Sequence, residues 1–463
     1  MNIVEEIYKN NTLEITDEYI LSQIIDKPDL TSIDLWLLPQ FPFDEWRKKY
    51  DYPRILENFK RRLTNFEEWM KEFNLSDEIL IDSYISSCIK PKYRDKKVDN
   101  KLHLIKVTYR SKIKLQVWDK YNGITESEGD EDKVYYEYLT EFISYSDWCE
   151  INGFENSILE KFDRIEQNSI YEQVYLNLDL KLLKMGGIEP PVNGLSTLLR
   201  PKKIEFVNIS GLQLNETINN RSRLEFAFCT VDNLKCSHLK MNFVTFNNCS
   251  VRNIEINNSE ISNWQFINSN VTGGINNSII ENTRVWGGQF IPVFNNSEPV
   301  NFGVWHESMK HSPNFDRTYR AFYKAYKDTG NYREASKFKI LELDFKKSKA
   351  TGFLNKTKWN IDKYFWEYGQ NPSRLILVTL GIIFFFGLIY SFFPDDFKDC
   401  IFSNKSYIET LGNTLYYSVV TFTTLGYGDI IPTGIVKFFA AVEALMGAII
   451  IGFLVVSLAK IKE

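Results

Sequence analysis

The chain lacks several things that would have pointed elsewhere. Its six cysteines, Cys88, Cys149, Cys229, Cys236, Cys249 and Cys400, form no Cys-x-x-Cys pair and no zinc spacing. Scattered single cysteines suit a reducing compartment and free buried thiols. Of the four histidines only His306 and His311 stand close, five apart, and a metal role is not the expected one. No basic surplus exists: the net charge of −5 argues against a nucleic-acid binder built on a basic surface. The first residues, Met1 to Glu6, lack a basic start followed by an apolar run, so no secretory signal is expected and roughly the first 370 residues should stay cytoplasmic. Residues 1–200 hold no phosphate-binding glycine loop, no nucleophile motif and no paired metal ligands. The chain is therefore not expected to be an enzyme or to need a cofactor.

At 463 residues it is too long for one ordinary domain. Mean hydropathy is slightly negative, but nearly all the long apolar runs lie after Arg374. A small membrane part is hidden in the average of a large soluble one. Residues 1–200 read as a mixed α+β cytosolic domain, a sensor or a docking module. Helical spacing with charged faces runs over 55–73, and polar–apolar alternation over 102–118 predicts a strand or a hairpin turning near Ser111. The acidic stretch 123–132 predicts a surface loop. The many aromatic residues predict core rather than a stacking platform.

An internal repeat follows. From Phe226 every fifth residue is apolar: Val231, Cys236, Met241, Phe246, Val251, Ile256, Ile261, Phe266 and Val271. Two residues before each runs a second column, from Leu224 and Cys229 to Trp264 and Ser269. After Gly273-Gly274 the period resumes one residue out of register at Ile275, Ile280, Val285 and Phe290. A period of five fits neither a helix nor a flat strand. A coil of four five-residue sides fits, with apolar pairs inward and Asn, Ser and Lys outward. The pattern resembles the pentapeptide-repeat family, which implies a right-handed quadrilateral β-helix over 204–292, a rigid rod without chemistry of its own. The family's small-residue column is often large here. Residues 312–350 then read as two helices with Tyr319, Phe322, Tyr323 and Tyr326 on one face, Gly330 at the stop, and Ala335, Phe338, Ile340, Leu341 and Phe345 on the next. They look like a single tetratricopeptide-type hairpin, which must pack on something else. Residues 356–374 form an amphipathic basic linker, with Trp359, Tyr364, Phe365 and Trp366, suited to lie on a membrane surface.

Residues 375–393 are uncharged and mostly apolar, and 435–459 hold only Lys437 and Glu443 as charges. Each is long enough to cross a bilayer. Lysines and Arg374 crowd before the first span and Lys460 and Lys462 follow the second, so both termini are expected inside and the connecting loop outside.

That loop reads Thr421-Phe-Thr-Thr-Leu-Gly-Tyr-Gly-Asp429. Residues 375–460 thereby resemble the two-transmembrane potassium channel pore family, with pore helix and filter over 411–429. The resemblance implies a tetrameric α-helical pore whose potassium ions are bound by carbonyls of Thr424, Leu425, Gly426 and Tyr427, with the Thr424 hydroxyl innermost. Gly426 and Gly428 would supply backbone angles closed to most residues. Tyr416 is expected to reach Asp429, and Tyr417 to support Tyr427. Val420 stands where some relatives carry a carboxylate. Gly447, ahead of Gly452, is the expected gating hinge, and Glu443 is expected to hydrogen-bond behind the pore helix. No arginine ladder occurs in the first span, which excludes voltage sensing by that route, and no C-terminal regulator is expected.

The reading is a potassium-selective channel subunit in a bacterial plasma membrane. It would act as a homotetramer in the lipid bilayer, with potassium as permeant ligand and no nucleic-acid partner. Its N-terminal region would gate it in response to an unidentified small molecule or protein. The alternatives are a channel-type effector that leaks potassium in defence or stress, or a channel carrying a protein-docking module.

Overall fold

The structure is a computed structural model describing residues 3, 6–7, 15–90, 101–109, 112–118, 134–154, 174–181, 202–217, 223–304, 315–398, 402 and 406–462. The acidic stretch 123–132, the turn at Ser111, the pair His306 and His311, and Cys400 lie outside these residues. The chain divides into two compact units, Met1–Gly330 and Asn331–Glu463.

The first unit begins with short helices: α1 (Asp17–Ile24), α2 (Ser32–Leu37), α3 (Gln40–Tyr50), α4 (Tyr52–Arg62), α5 (Phe66–Glu72), α6 (Asp77–Asp82) and α7 (Ile85–Ile89). Side-chain oxygens start several of them: Thr31 accepts from Asp34 N in a full capping box, and Ser76 accepts from Ile79 N. The helical spacing over 55–73 proves to be two helices, because Asn65 turns left-handed at φ 55° between them. Strands β1 (Lys101–Tyr109), β2 (Lys112–Trp118) and β3 (Val134–Ile143) make an antiparallel sheet in the order β2-β1-β3, and α8 (Tyr145–Asn152) follows. The alternation over 102–118 is thus a hairpin. Tyr52, Phe59, Phe66, Trp69 and Tyr145 form the core with Phe206, Ala227 and Phe228 of the repeat region. A boundary at residue 200 therefore separates residues that share one core.

The repeat region is a solenoid of parallel strands. Thr245 pairs with Gln265, twenty residues on, as four sides of five require. Beyond Gly273 the spacing is nineteen, as Gln265 with Arg284 shows. One residue is missing from that coil at the slip visible in the sequence. Both apolar columns are buried throughout, from Leu224 and Phe226 to Ser269 and Val271. The corners are left-handed at Phe228, Asn233, His238, Phe243, Asn248, Asn253, Asn258, Asn263 and Asn268, again one per five residues. Asparagine tolerates that conformation better than most side chains, which accounts for its frequency there. The parallel pairing is wider than 204–292: β4 (Leu176–Asp179) joins it, and Gly303–Val304 ends it.

Both ends of the solenoid are covered. At the start, β5 (Lys202–Glu205) offers an open edge. The Gln40 side chain pairs with it like a strand, donating to Lys203 O (3.1 Å) and accepting from Lys203 N (2.7 Å). Arg47 Nη1 donates to Glu205 O at 2.6 Å. The Glu205 carboxylate accepts from Ile85 N and Ser86 N, each at 3.1 Å. At the far end lies α9 (Asp316–Asp328), whose Phe322 packs on Phe290, Phe294 and Phe302. Thr318 Oγ1 accepts from Phe290 N at 2.9 Å. Of the two expected helices over 312–350, α9 caps the solenoid and the second belongs to the other unit.

The second unit holds α10 (Tyr332–Ser348), α11 (Phe353–Trp366), a left-handed turn at Glu367–Gly369, α12 (Pro372–Ser391), α13 (Tyr407–Phe422) and α14 (Val436–Lys462). Two of these, α12 and α14, are long and apolar enough to cross a membrane. The shorter α13 packs between them.

Candidate functional site

Ser406 starts α13 by accepting from Glu409 N, four residues before the expected start at 411. The helix ends at Phe422, and Leu425 N still reaches back to Val420 O at 3.1 Å. The chain then alternates in hand. Thr424, Gly426 and Gly428 are left-handed at φ 56°, 56° and 77°, while Leu425 and Tyr427 are not. Such alternation turns successive carbonyls toward one side. Two glycines meet the requirement without strain, but Thr424 is β-branched, and a left-handed residue of that kind is a strained one.

The segment after Gly428 is tied down. Tyr416 Oη donates to Asp429 Oδ2 at 2.9 Å. Thr433 N donates to Asp396 O at 2.8 Å, and Ile435 N to Asp396 Oδ2 at 3.2 Å. Lys398 N donates to Ile431 O at 2.9 Å. Tyr417 lies in an aromatic cluster beside α12. Its ring packs against Tyr390 and Phe397, at 5.2 and 5.5 Å, while Tyr427 is 67% exposed.

Glu443 sits buried on α14. Tyr390 Oη donates to its Oε2 at 2.6 Å, and Ser418 Oγ meets its Oε1. Ser418 lies on α13, so the carboxyl group does bond behind that helix. The two candidate hinge glycines differ. A Cβ on Gly447 would lie 2.0 Å from Phe422 O, whereas one on Gly452 would meet nothing within 4 Å. Close approach to α13 accounts for Gly447, and only Gly452 is free of such a constraint.

The far end of α14 meets the turn after α11. Trp366 packs on Phe453 at 4.6 Å, and Ser457 Oγ donates to Gly369 O at 3.0 Å. The turn has three successive left-handed residues, Glu367, Tyr368 and Gly369, at φ 52°, 58° and 79°. Asp344 of α10 holds it, accepting from Tyr368 Oη at 2.8 Å and from Lys363 Nζ at 2.7 Å. No residue of α11 is buried, and Phe353, Leu354, Ile361 and Tyr364 are exposed.

Sequence reasoning did not find Ser418, Tyr390, Asp396 or Asp344. Each is a common polar residue whose role depends on a partner distant in sequence. Only Asp396 carried a local signal, as an acidic residue shortly after an apolar span.

Two membrane-length helices enclosing a shorter helix that leads into an alternating, glycine-containing segment define an ion-channel pore of the two-span class. The family model described as Ion channel matches residues 377–462. That part of the chain is an ion-channel domain in a membrane protein, joined to a β-solenoid. No curated protein and no solved structure matches the chain.

Proposed function

We propose that the chain is one subunit of a potassium-selective channel that works as a homotetramer and is gated by its N-terminal region. The observation that carries the reading is the filter segment itself. Thr424, Leu425, Gly426 and Tyr427 offer a row of carbonyls, a dehydrated cation needs several oxygens at each level, and one chain supplies only one. Four copies around an axis supply four. Leu425, Tyr427, Leu445 and Ile449 are exposed in the single chain, as surfaces awaiting such neighbours or lipid would be. The C-terminal end of α13 points its negative dipole end toward the filter entrance, favouring a cation there. Asp429, held by Tyr416, would fix the outer rim of the filter.

The gating part rests on the inner end of α14. The lysines and Arg374 before α12 support a reading in which that end faces the cytoplasm and the membrane is a bacterial plasma membrane. A displacement of α10 would pass through Asp344 to the left-handed turn, and from there to Phe453 and Ser457 on α14. The exposed basic and apolar α11 would slide on the membrane surface. Any ligand or partner protein acting on residues 1–330 would pull on α10 through the chain.

The test is full-length protein in planar bilayers with potassium on one side and sodium on the other. A reversal potential near the potassium equilibrium value is expected, and equal permeability of the two ions overturns selectivity. Asp344→Ala should change open probability and leave that reversal potential in place.

A further inference from the structure

Glu443 lies two turns into a membrane-length helix with its side chain fully buried. A carboxyl group there is costly unless partners satisfy it. Its partners come from two other helices: Tyr390 on α12 and Ser418 on α13. Ser418 Oγ also reaches Ile383 O of α12 at 2.8 Å. Three contacts need three protons, and the two hydroxyls bring two. A carboxyl O–H donating from Oε1 to Ser418 brings the third and frees Ser418 to donate to Ile383. Every polar atom of the group is then satisfied.

The same helix face continues the grip. Glu443 and Gly447 are one turn apart on α14, as are Ser418 and Phe422 on α13. A Cβ on Gly447 would stand 2.0 Å from Phe422 O, so the helices touch backbone to backbone at that second point. On α12, a Cβ on Gly387 would lie 2.5 Å from Leu415 Cδ2. One hydrogen-bonded junction and two close approaches thus hold the last two turns of α13, directly before Thr424.

Resting on the reading of α13 as the pore helix, we infer that Glu443 is a positioning residue for the filter. Through Ser418 and Tyr390 it locks the pore helix to both spans and sets the height and rotation at which the filter begins. Glu443 does not touch the permeant ion. It acts as a neutral hydrogen-bonding group, so a carboxamide can replace it: the Gln carbonyl accepts from Tyr390 and its N–H donates to Ser418.

The experiment compares wild type, Glu443→Ala, Glu443→Gln and Ser418→Ala as full-length protein in liposomes. Flux per assembled channel and the potassium-to-sodium permeability ratio are measured, with assembly followed by size exclusion. Loss of two buried hydrogen bonds should lower the permeability ratio in Glu443→Ala about tenfold. Glu443→Gln should recover most of that loss, and Ser418→Ala should fall between. A wild-type ratio in Glu443→Ala, or a Glu443→Gln channel as unselective as Glu443→Ala, overturns the inference. If Glu443→Ala does not assemble, an unchanged ratio in Ser418→Ala overturns it. If the wild type itself is unselective, the proposed function fails and amide hydrogen exchange over 418–424 decides the positioning role. Faster exchange in Glu443→Ala that Glu443→Gln restores supports it, and equal exchange in all three overturns it.

Discussion

Left-handed backbone serves two regions of this molecule in opposite ways. In the solenoid it recurs every fifth residue and makes corners, most often with asparagine. In the filter it recurs every second residue, at Thr424, Gly426 and Gly428. At the solenoid corners the neighbouring coil is already in place: Asn248 N donates to Ile267 O at 2.8 Å, and a Cβ on Gly288 would lie 2.2 Å from Ser269 O. A Cβ on Gly426 or Gly428 would meet nothing within 4 Å. The solenoid is thus completed by its own chain, whereas the filter is shaped before its surroundings arrive. Under the proposed function those surroundings are ions, water and three further copies.

The largest effect should come where that shape is used. Gly426→Ala puts a side chain at φ 56°, which costs an L-residue roughly 1–2 kcal/mol in each subunit. Relaxation would turn the carbonyl from the axis. The permeability ratio of potassium to sodium is expected to fall toward one, read from bi-ionic reversal potentials. A ratio unchanged from wild type would mean that the left-handed angle at 426 does not set selectivity.

The next contrast lies within α14. Gly447 lacks space, while Gly452 has space and no special angle. Gly447→Ala drives a methyl group into the Phe422 carbonyl, and overpacking of this kind costs typically about 1–3 kcal/mol. A lower thermal midpoint in detergent is expected. Gly452→Ala should leave the midpoint the same or higher, since Ala favours a helix interior by about 1 kcal/mol over Gly. The stiffer helix should change open probability in single-channel records. The reverse pattern would return the hinge to Gly447.

How much of this was legible beforehand follows from the range of each interaction. The five-residue columns, the two long apolar runs and the alternating segment at Gly426 and Gly428 are local patterns, and Phe226, Ile256 or Gly426 declares itself within a few residues. The asparagine corners were legible too, at Asn248, Asn253, Asn258, Asn263 and Asn268, had the outward positions been read for backbone hand. The sharing of one core by Phe59 and Phe206 was not, nor was the meeting of Ser418 with Glu443. Those pairs are set by how elements dock, and a serine in an apolar helix has no distinctive neighbours in sequence. Which surface the 312–350 segment packs on was open for the same reason. The aromatic face of α9 fits a partner helix or a solenoid end equally well until Phe290 and Phe302 are seen beneath it.

A smaller effect tests how completely the solenoid's first coil is closed. Lys202 Nζ is buried, donating to Leu35 O at 3.2 Å and Trp36 O at 2.7 Å, and lies 4.3 Å above the Phe43 ring. Burial pushes this amine down to about 7, partly opposed by Asp44, while Arg47 adds to the push. An unfolded lysine titrates near about 10.4. Between these values the unfolded chain holds a proton that the folded one has released, so stability should rise with pH from neutral to about 10. Below neutral both states are protonated and the contribution is flat. Lys202→Met should remove that rise when urea midpoints of the two proteins are compared across the range. Parallel curves would show that water reaches the amine and that this end of the solenoid is less tightly closed than the other.

The smallest effect is the sharpest comparison, because it repeats the Gly426 substitution in spirit at a place with no ion to bind. Asn263 sits at φ 57°, almost the angle of Gly426, and its N–H donates to Glu281 O of the next coil at 3.1 Å. Asparagine already bears part of the left-handed penalty, so Asn263→Ala should cost only about 1 kcal/mol. Asn263→Gly should cost less, because glycine adopts the angle freely while adding chain entropy to the unfolded state. Neither change should alter ion selectivity. Urea unfolding of the full-length protein reads the first effect and bi-ionic potentials the second. If Asn263→Ala costs nothing, the corner is imposed by coil-to-coil hydrogen bonds such as that to Glu281 and not by the residue at it. The segment around Gly426 and Gly428, where a Cβ would meet nothing within 4 Å, would then depend on residue type far more than the rod does.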